Sequence, residues 1–398
     1  MGYRALLSGS GWALDSGARP LFFEREERRL VAHTPQQLGS VLSALDDVAA
    51  SGDRDRIAIG FISYEAGVSL EGSEALFRRP EGTPLAAFGV FRLRDASREA
   101  PANPSDRFTF EEPATPAASL SLQEWSQGVE TIRAGIARGD VYQVNLTRRT
   151  RLRASADPLA LAGALFRENP VPYAVTLAGE DWAVVSNSPE LFLDADFVAG
   201  TAQSAPIKGT VARGRTDGDD EAAKAWLLAS AKDAAEHVMI VDLIRNDLGR
   251  VAEPGGVRVA RLGSLRTFRH LHHLESLVAA RLAAGVRVSD LLRVTLPGGS
   301  ITGAPKRAAL RFIRQAEPCP RGAYTGAAGF VRGDGRALFN VAIRTAIVQG
   351  GFVDYHAGGG IVWDSDPAAE WAEVETKSRE FQALVGGGRA GGGGESDR

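Results

Sequence analysis

Two pairs of carboxylates in this sequence repeat one spacing. Asp233 and Glu236 stand three residues apart, as do Glu370 and Glu373, and Lys377 follows four residues later. On a helix that spacing turns both members of a pair to one face. Two such helices could hold one Mg2+ between them, because that cation takes oxygen ligands and keeps positions open for water and substrate. The alternative is two solvated helix faces with an ordinary Glu373–Lys377 ion pair, worth roughly a few tenths of a kcal/mol.

Other residues carry chemistry of their own. Lys208 lies in Ala205-Pro206-Ile207-Lys208-Gly209-Thr210, where Pro and Gly fix the backbone. A desolvated amine there could act as a nucleophile; a solvated one would be a surface charge. His273 could serve as a base, although half of the six histidines crowd into His270-Leu271-His272-His273, too narrow a set for zinc. Arg344 sits midway along an apolar run, Val341 to Ile347, that reads as one buried strand. A guanidinium there needs an anion, either a substrate or a structural carboxylate. Leu296 to Arg307 is a Gly-rich loop entering a helix, and its free N–H groups suit an anion. Lys306 does not directly follow Gly303 and no Ser or Thr follows it, so this is no nucleotide P-loop. A small carboxylate fits better than a triphosphate, and a tight turn before a helix accounts for the loop equally well.

The elements that must position these groups are legible. Ser121 and Glu124 form a capping box for a helix with Trp125, Val129, Ile132 and Ile136 on one face and Gly139 at its end. The next segment reads as a strand with Tyr142, Val144 and Leu146 on one side, Gln143 and Asn145 on the other. A single helix is expected from about Asp219 to Leu248, stopping at Gly249. Runs around 326–331, 338–348 and 352–355 read as adjacent antiparallel strands. Asp366 and Pro367 start the last helix. Strands and helices do not alternate strictly, which points to a large, mostly antiparallel α/β body with helices outside it. A Pro- and Ala-rich loop at 111–118 divides an N-terminal portion, 1–115, from a catalytic body, 120–385, and 386–398 is a Gly-rich tail without fold content.

Composition narrows the classes. With 46 Lys and Arg against 49 Asp and Glu, the formal charge of -3 and the lack of a basic run argue against nucleic acid. No apolar stretch approaches the roughly 20 residues a bilayer needs, and no signal peptide is evident. Cys319 is the only cysteine, so no internal disulfide can form, as suits a reducing cytoplasm. It sits in the rigid turn Glu317-Pro318-Cys319-Pro320, without the elbow that activates a nucleophile.

Several stretches together resemble the chorismate-utilising enzymes. They are Gly139-Asp140-Val141-Tyr142-Gln143-Val144-Asn145-Leu146, Ser188-Pro189-Glu190, Pro206-Ile207-Lys208-Gly209-Thr210, the run Glu236 to Asp247, His273-Leu274-Glu275-Ser276, Gly299 to Lys306, and Ala357 to Val362. They occur in the family's order over about two-thirds of the chain. The resemblance implies antiparallel sheets packed as a β-sandwich flanked by outer helices. It also implies that Glu236 and Glu373 hold Mg2+, with Asp233 and Glu370 acting on the ion through water. Asp233 stands where the family commonly has Glu, which leaves that contact open. Arg344 and Tyr324 match residues holding the enolpyruvyl side of chorismate; Gly358, Gly360 and Lys377 match the ring-carboxylate end. Ser300 lies in the anion loop, and His273 matches a histidine near the departing hydroxyl. The metal would neutralise the ring carboxylate and ease expulsion of the C4 oxygen.

Two positions divide the branches. Water-using relatives are similar in carrying a lysine where this chain has Gln143, and an amide cannot deprotonate water, so ammonia is the better-suited nucleophile. Anthranilate synthases generally read Pro-Ile-Ala-Gly where this chain has Lys208. In the aminodeoxychorismate branch that lysine adds at C2 while the C4 hydroxyl leaves with help from Glu190 as acid, and ammonia then enters at C4 and displaces the lysine. The expected activity is therefore aminodeoxychorismate synthesis in the p-aminobenzoate and folate route. Anthranilate synthesis is the nearest rival, and a non-catalytic sensor of aromatic metabolites is the rival of another class. With Cys319 unsuited to hydrolysing glutamine, ammonia is expected from a separate glutamine amidotransferase. Trp12-Ala13-Leu14-Asp15-Ser16 resembles only loosely the segment that binds tryptophan in anthranilate synthases, and a strand-turn accounts for it.

Overall fold

Capping residues set where the helices of this chain begin. The structure, a computed structural model, describes residues 2–12, 14, 19–99, 108–110, 117–267 and 271–386. Its elements run β1 (Arg4–Ser8), β2 (Leu21–Phe23), β3 (Arg28–Ala32), α1 (Pro35–Ala49), β4 (Arg56–Ile62), α2 (Tyr64–Leu70), β5 (Ala86–Arg92), β6 (Phe108–Phe110), β7 (Ala117–Ala118), α3 (Leu122–Ala137) and β8 (Gln143–Ala156). They continue α4 (Pro158–Glu168), β9 (Tyr173–Ala178), β10 (Trp182–Ser188), β11 (Leu191–Asp196), β12 (Thr201–Ala205), β13 (Ile207–Ala212), α5 (Asp217–Ala229), α6 (Ala231–Gly249), β14 (Ala252–Thr267) and β15 (Leu271–Leu282). The remainder is α7 (Val288–Thr295), β16 (Gly303–Ala304), α8 (Lys306–Ala316), β17 (Ala327–Arg332), β18 (Arg336–Val341), β19 (Thr345–Gln349), β20 (Phe352–Ile361) and α9 (Pro367–Gly386).

Two large antiparallel sheets face each other. The first runs β16-β8-β20-β19-β10-β9-β1-β2, with β6 and β7 also paired to β8; the second runs β13-β15-β12-β11-β18-β17-β4-β5-β3, with β14 also paired to β15. Between them lies a core that mixes Leu7, Val175 and Val184 of the first with Ile59, Phe61 and Phe330 of the second. Helices cover the outer faces. Leu42 and Leu45 of α1 and Leu292 of α7 pack with Phe88 and Phe339, while Leu161 of α4 and Phe381 of α9 pack with Val185 and Tyr355. The antiparallel sandwich with outer helices is the expected architecture. The N-terminal portion shares both sheets with the rest of the chain, since β1 pairs with β9 and β4 pairs with β17.

Local expectations meet the structure in detail. Ser121 and Glu124 cap α3 reciprocally, and Gly139, at φ 79°, turns the chain after it. Asp366 caps α9 by accepting from the Ala369 N–H at 2.8 Å. The single helix expected from Asp219 to Leu248 is instead two. Ser230 is extended at ψ 102° and its carbonyl accepts from Ala234, so it ends α5 and starts α6. Tyr142 does not join Val144 and Leu146 inside: it precedes β8 and is 62% exposed. The strand expected at 338–348 is also two strands, β18 and β19, which belong to different sheets. The break at Ala342–Arg344 lets the chain cross between layers, and Arg344 takes φ 50° there. The join expected at 111–118 lies outside the described residues except for Ala117 and Ala118 of β7, and 387–398 lies wholly outside them.

Candidate active site

The second sheet supplies an amine and the first supplies the surface it reaches. On β13, Lys208 pairs with Leu274 of β15, and a register shift before Thr210 coincides with Gly209 at φ 74°. On β20, Gly360 lies opposite Asn145 of β8. A Cβ on Gly360 would sit 2.1 Å from Gln143 Nε2 and 3.6 Å from Lys208 Nζ. Only the missing side chain lets the amide and the amine converge over that strand. Gly358 is similarly constrained, because a Cβ there would meet the Leu146 carbonyl at 2.4 Å. Gln143 is 1% exposed and its Oε1 has no hydrogen-bond partner among the described residues.

Glu190 and Arg344 share one structural cause. Each lies where the chain passes from one sheet to the other, Glu190 between β10 and β11, Arg344 between β18 and β19. The two crossings bond to each other: the Asn187 N–H donates to the Arg344 carbonyl at 3.1 Å, and the Val341 N–H donates to the Glu190 carbonyl at 3.1 Å. Backbone pairing thus holds an acid and a guanidinium at one end of the sandwich. Glu190 is 5% exposed and accepts from Ser300 Oγ at 3.1 Å. Burial pushes its carboxyl up to about 7 against the opposing pull of Lys208, the Ser300 hydroxyl and the Ile207 N–H. A carboxyl poised there can give a proton near neutral pH. His273 faces Thr210, Nδ1 to Oγ1 at 2.7 Å, and burial followed by the charge of Arg344 lowers it to about 4. It is a neutral imidazole at neutral pH. Tyr324 is buried and stacks on His356 with ring centroids 5.1 Å apart.

The carboxylate helices back onto different sheets. α6 packs on β13, β14 and β15, α9 on β20. Glu370 is buried and accepts from Ser365 Oγ at 2.7 Å, with its Oε2 3.1 Å from where a Cβ on Gly359 would be. Glu373 is 55% exposed and pairs with Lys377 at 2.7 Å, and Lys377 also donates to the Gly358 carbonyl at 2.9 Å. Glu236 is half-buried on α6, and the side chain of Asp233 lies outside the described residues. Hard oxygen donors on the two helices fit Mg2+ by chemistry. Among the described residues, however, no three acidic, histidine or cysteine side chains are gathered into a metal cluster.

The family model for chorismate binding enzymes matches residues 12–383. The chain belongs to the chorismate-binding enzymes. Anthranilate synthase component 1 of Streptomyces coelicolor is 42% identical over 305 residues, 74% of this chain and 59% of that protein. Aminodeoxychorismate synthase component 1 of Klebsiella aerogenes is 42% identical over 260 residues, 65% of this chain and 57% of that protein. The chain therefore spans under two-thirds of either relative. The solved anthranilate synthase component I of Streptococcus pneumoniae superposes with a TM-score of 0.73 at 26% identity, covering 96% of this chain and 90% of that one.

In this chorismate-binding enzyme, Lys208, Gln143 and Gly360 converge, Glu190 meets Ser300, and Lys377 bridges Gly358 to Glu373. Glu236 lies on α6 and Glu373 on α9. The Gly-rich loop presents the Ser300 hydroxyl to Glu190, and its Lys306 turns inward, 7% exposed, to pair with Asp247 at 2.8 Å. Reading the sequence missed that pair, since neither residue differs in type or spacing from a surface charge. It also missed Arg148, buried on β8, which pairs with Glu375 at 2.5 Å and lies 4.3 Å over the Trp371 ring. A run such as Arg148-Arg149-Thr150-Arg151 does not reveal which arginine faces inward. No helix among the described residues is long and apolar enough to cross a membrane.

Proposed function

We propose that this chain is the chorismate-binding component of an aminodeoxychorismate synthase, converting chorismate and ammonia to 4-amino-4-deoxychorismate. The observation that carries this reading is the convergence of Lys208 and Gln143 on Gly360, with a buried, half-protonated Glu190 within the electrostatic reach of that lysine. Lys208 adds at C2 as the C4 hydroxyl departs with the proton of Glu190, and ammonia then attacks C4 and releases the Lys208 amine. Gln143 cannot deprotonate water and leaves the nucleophile's place to ammonia. Arg344 and Tyr324 hold the enolpyruvyl group; Gly358, Gly360 and Lys377 hold the ring-carboxylate end, with His273 beside the departing hydroxyl. Glu236 and Glu373 would hold Mg2+, with Asp233 and Glu370 behind them, and the ion would draw negative charge from the ring carboxylate.

Ammonia comes from a separate glutamine amidotransferase in this reading. Cys319 is half-buried and its thiol is pushed up by burial, the opposite of an activated nucleophile. A cytoplasmic setting goes with such a partner. Equal identity to an anthranilate synthase favours a second reading, in which ammonia enters at C2. Incubation with chorismate, Mg2+ and an ammonium salt separates the two. The proposal expects p-aminobenzoate only after an aminodeoxychorismate lyase is added; fluorescent anthranilate without lyase overturns it. Replacing Lys208→Ala should abolish the amino product, and undiminished synthesis would remove the covalent step.

A further inference from the structure

A buried acid that gives up a proton must regain one in every turnover, and Glu190 is only 5% exposed. A cavity of about 20 Å³ lies against it and reaches Asp247 on α6. Ser204, Thr295 and Ser300 also line this space, among apolar side chains such as Phe192 and Leu248. The volume suits roughly one water, and two carboxylates with neighbouring hydroxyls supply the partners such a water needs. Asp247 is 5% exposed, and Lys306 Nζ holds it from α8 at 2.8 Å, so its carboxyl has a fixed place.

We propose that Asp247 reprotonates Glu190 through a water in this cavity, reloading the general acid from within the protein. The inference rests on the reading of Glu190 as the acid for the departing hydroxyl. When the C4–O bond breaks, its electron pair leaves with oxygen, which takes the Glu190 proton and departs as water. Asp247 then gives a proton to the cavity water as that water gives one to the Glu190 carboxylate. Solvent returns a proton to Asp247, and the amino product carries the extra charge as its ammonium form.

The electrostatics suit a relay. Burial pushes Asp247 up to about 6, with Lys306 and then Arg250 pulling it down and Glu71 pushing it further up. Glu190 stands at about 7, so a proton moves between them with little change in free energy. Glu71, partly exposed beside the end of α2, is a second carboxylate close enough for its charge to be felt at Asp247. Asp247 does not touch substrate in this scheme; it acts only through Glu190.

Three variants test the relay with saturating chorismate, Mg2+ and ammonium, reading chorismate loss so that either amino product counts. Asp247→Asn removes the donor. Asp247→Asn with Lys306→Met removes both buried charges and avoids stranding the lysine. Ser204→Val leaves both carboxylates and fills the water's space. Each should lower kcat by about tenfold or more with KM for chorismate unchanged, and each should show a larger solvent deuterium isotope effect. Raising imidazolium buffer should restore turnover in the Asp247 variants, which a purely structural loss would not allow. Folded variants with parental kcat, or Asp247 variants whose losses are indifferent to buffer, overturn the relay. Glu190→Gln serves as the control: parental turnover in it removes the general-acid reading itself, whereas an inactive control beside buffer-indifferent relay variants removes the relay alone.

Discussion

The two acidic regions of the site differ in how completely the fold has prepared them. Glu190 is enclosed: strand crossings fix its backbone, Ser300 holds its carboxylate, and burial moves it to about 7. Glu373 of α9 is looser, more than half exposed and tied to Lys377. Glu370 on the same helix is buried and bonded to Ser365. The difference follows from the supporting elements. Sheet crossings are over-determined by backbone hydrogen bonds, whereas a helix on an outer face can shift as a body. The fold thus encloses Glu190 and leaves Glu373 at the surface.

The largest effect should come from the enclosed side. Glu190→Gln removes the acid while keeping size and the Ser300 contact, and should lower kcat by about 10²- to 10⁴-fold at every Mg2+ concentration. Steady-state rates across a Mg2+ titration check this. Recovery at high Mg2+ would mean that the two regions are not separate.

A smaller effect should follow on the other side. Glu370→Gln keeps the shape of this buried carboxylate on α9 but removes its charge. The Mg2+ needed for half-maximal activity should rise on the order of 10- to 100-fold, with little loss of kcat once the ion is saturating. Titration with Mn2+ followed by electron paramagnetic resonance should show the same weakening without any turnover. An unchanged Mn2+ affinity would take Glu370 out of the cation's surroundings.

Legibility in the sequence followed the same division. Caps, Gly stops and strand alternation were readable because they depend on neighbours in the chain, as Ser121 with Glu124 and Asp366 with Ala369 show. The crossing at Ala342–Arg344 was not, since nothing local distinguishes a long apolar strand from two strands in different layers. Arg344 was therefore read into the wrong setting. Ser230 was hidden for a related reason: a serine inside a helical pattern is tolerated or terminating according to what packs around it. Lys208 and Gln143 were individually visible, but their meeting at Gly360 joins residues from opposite sheets, and only the resemblance to a known family suggested it. The Asp247–Lys306 pair depends wholly on burial, which spacing does not encode.

The smallest effect tests the enclosure of Glu190 without any substrate. In the folded chain this carboxyl stands at about 7, against 4.5 for an unperturbed one. The native state therefore keeps a proton that the unfolded chain releases between those values. Its contribution to stability is fully present below about pH 4.5 and is lost as pH rises through about 7, a change of about 3 kcal/mol. Glu190→Gln cannot ionise, so it should escape that loss. Urea denaturation of both proteins at pH 5 and pH 8 should show the parent losing more stability between the two conditions. Glu65 and Asp247, pushed up to about 7 and about 6, titrate over the same range but do so in both proteins and cancel in the difference. Equal pH slopes for the two would place Glu190 in contact with water, and the contrast between an enclosed Glu190 and an exposed Glu373 would fail at its better-defined end.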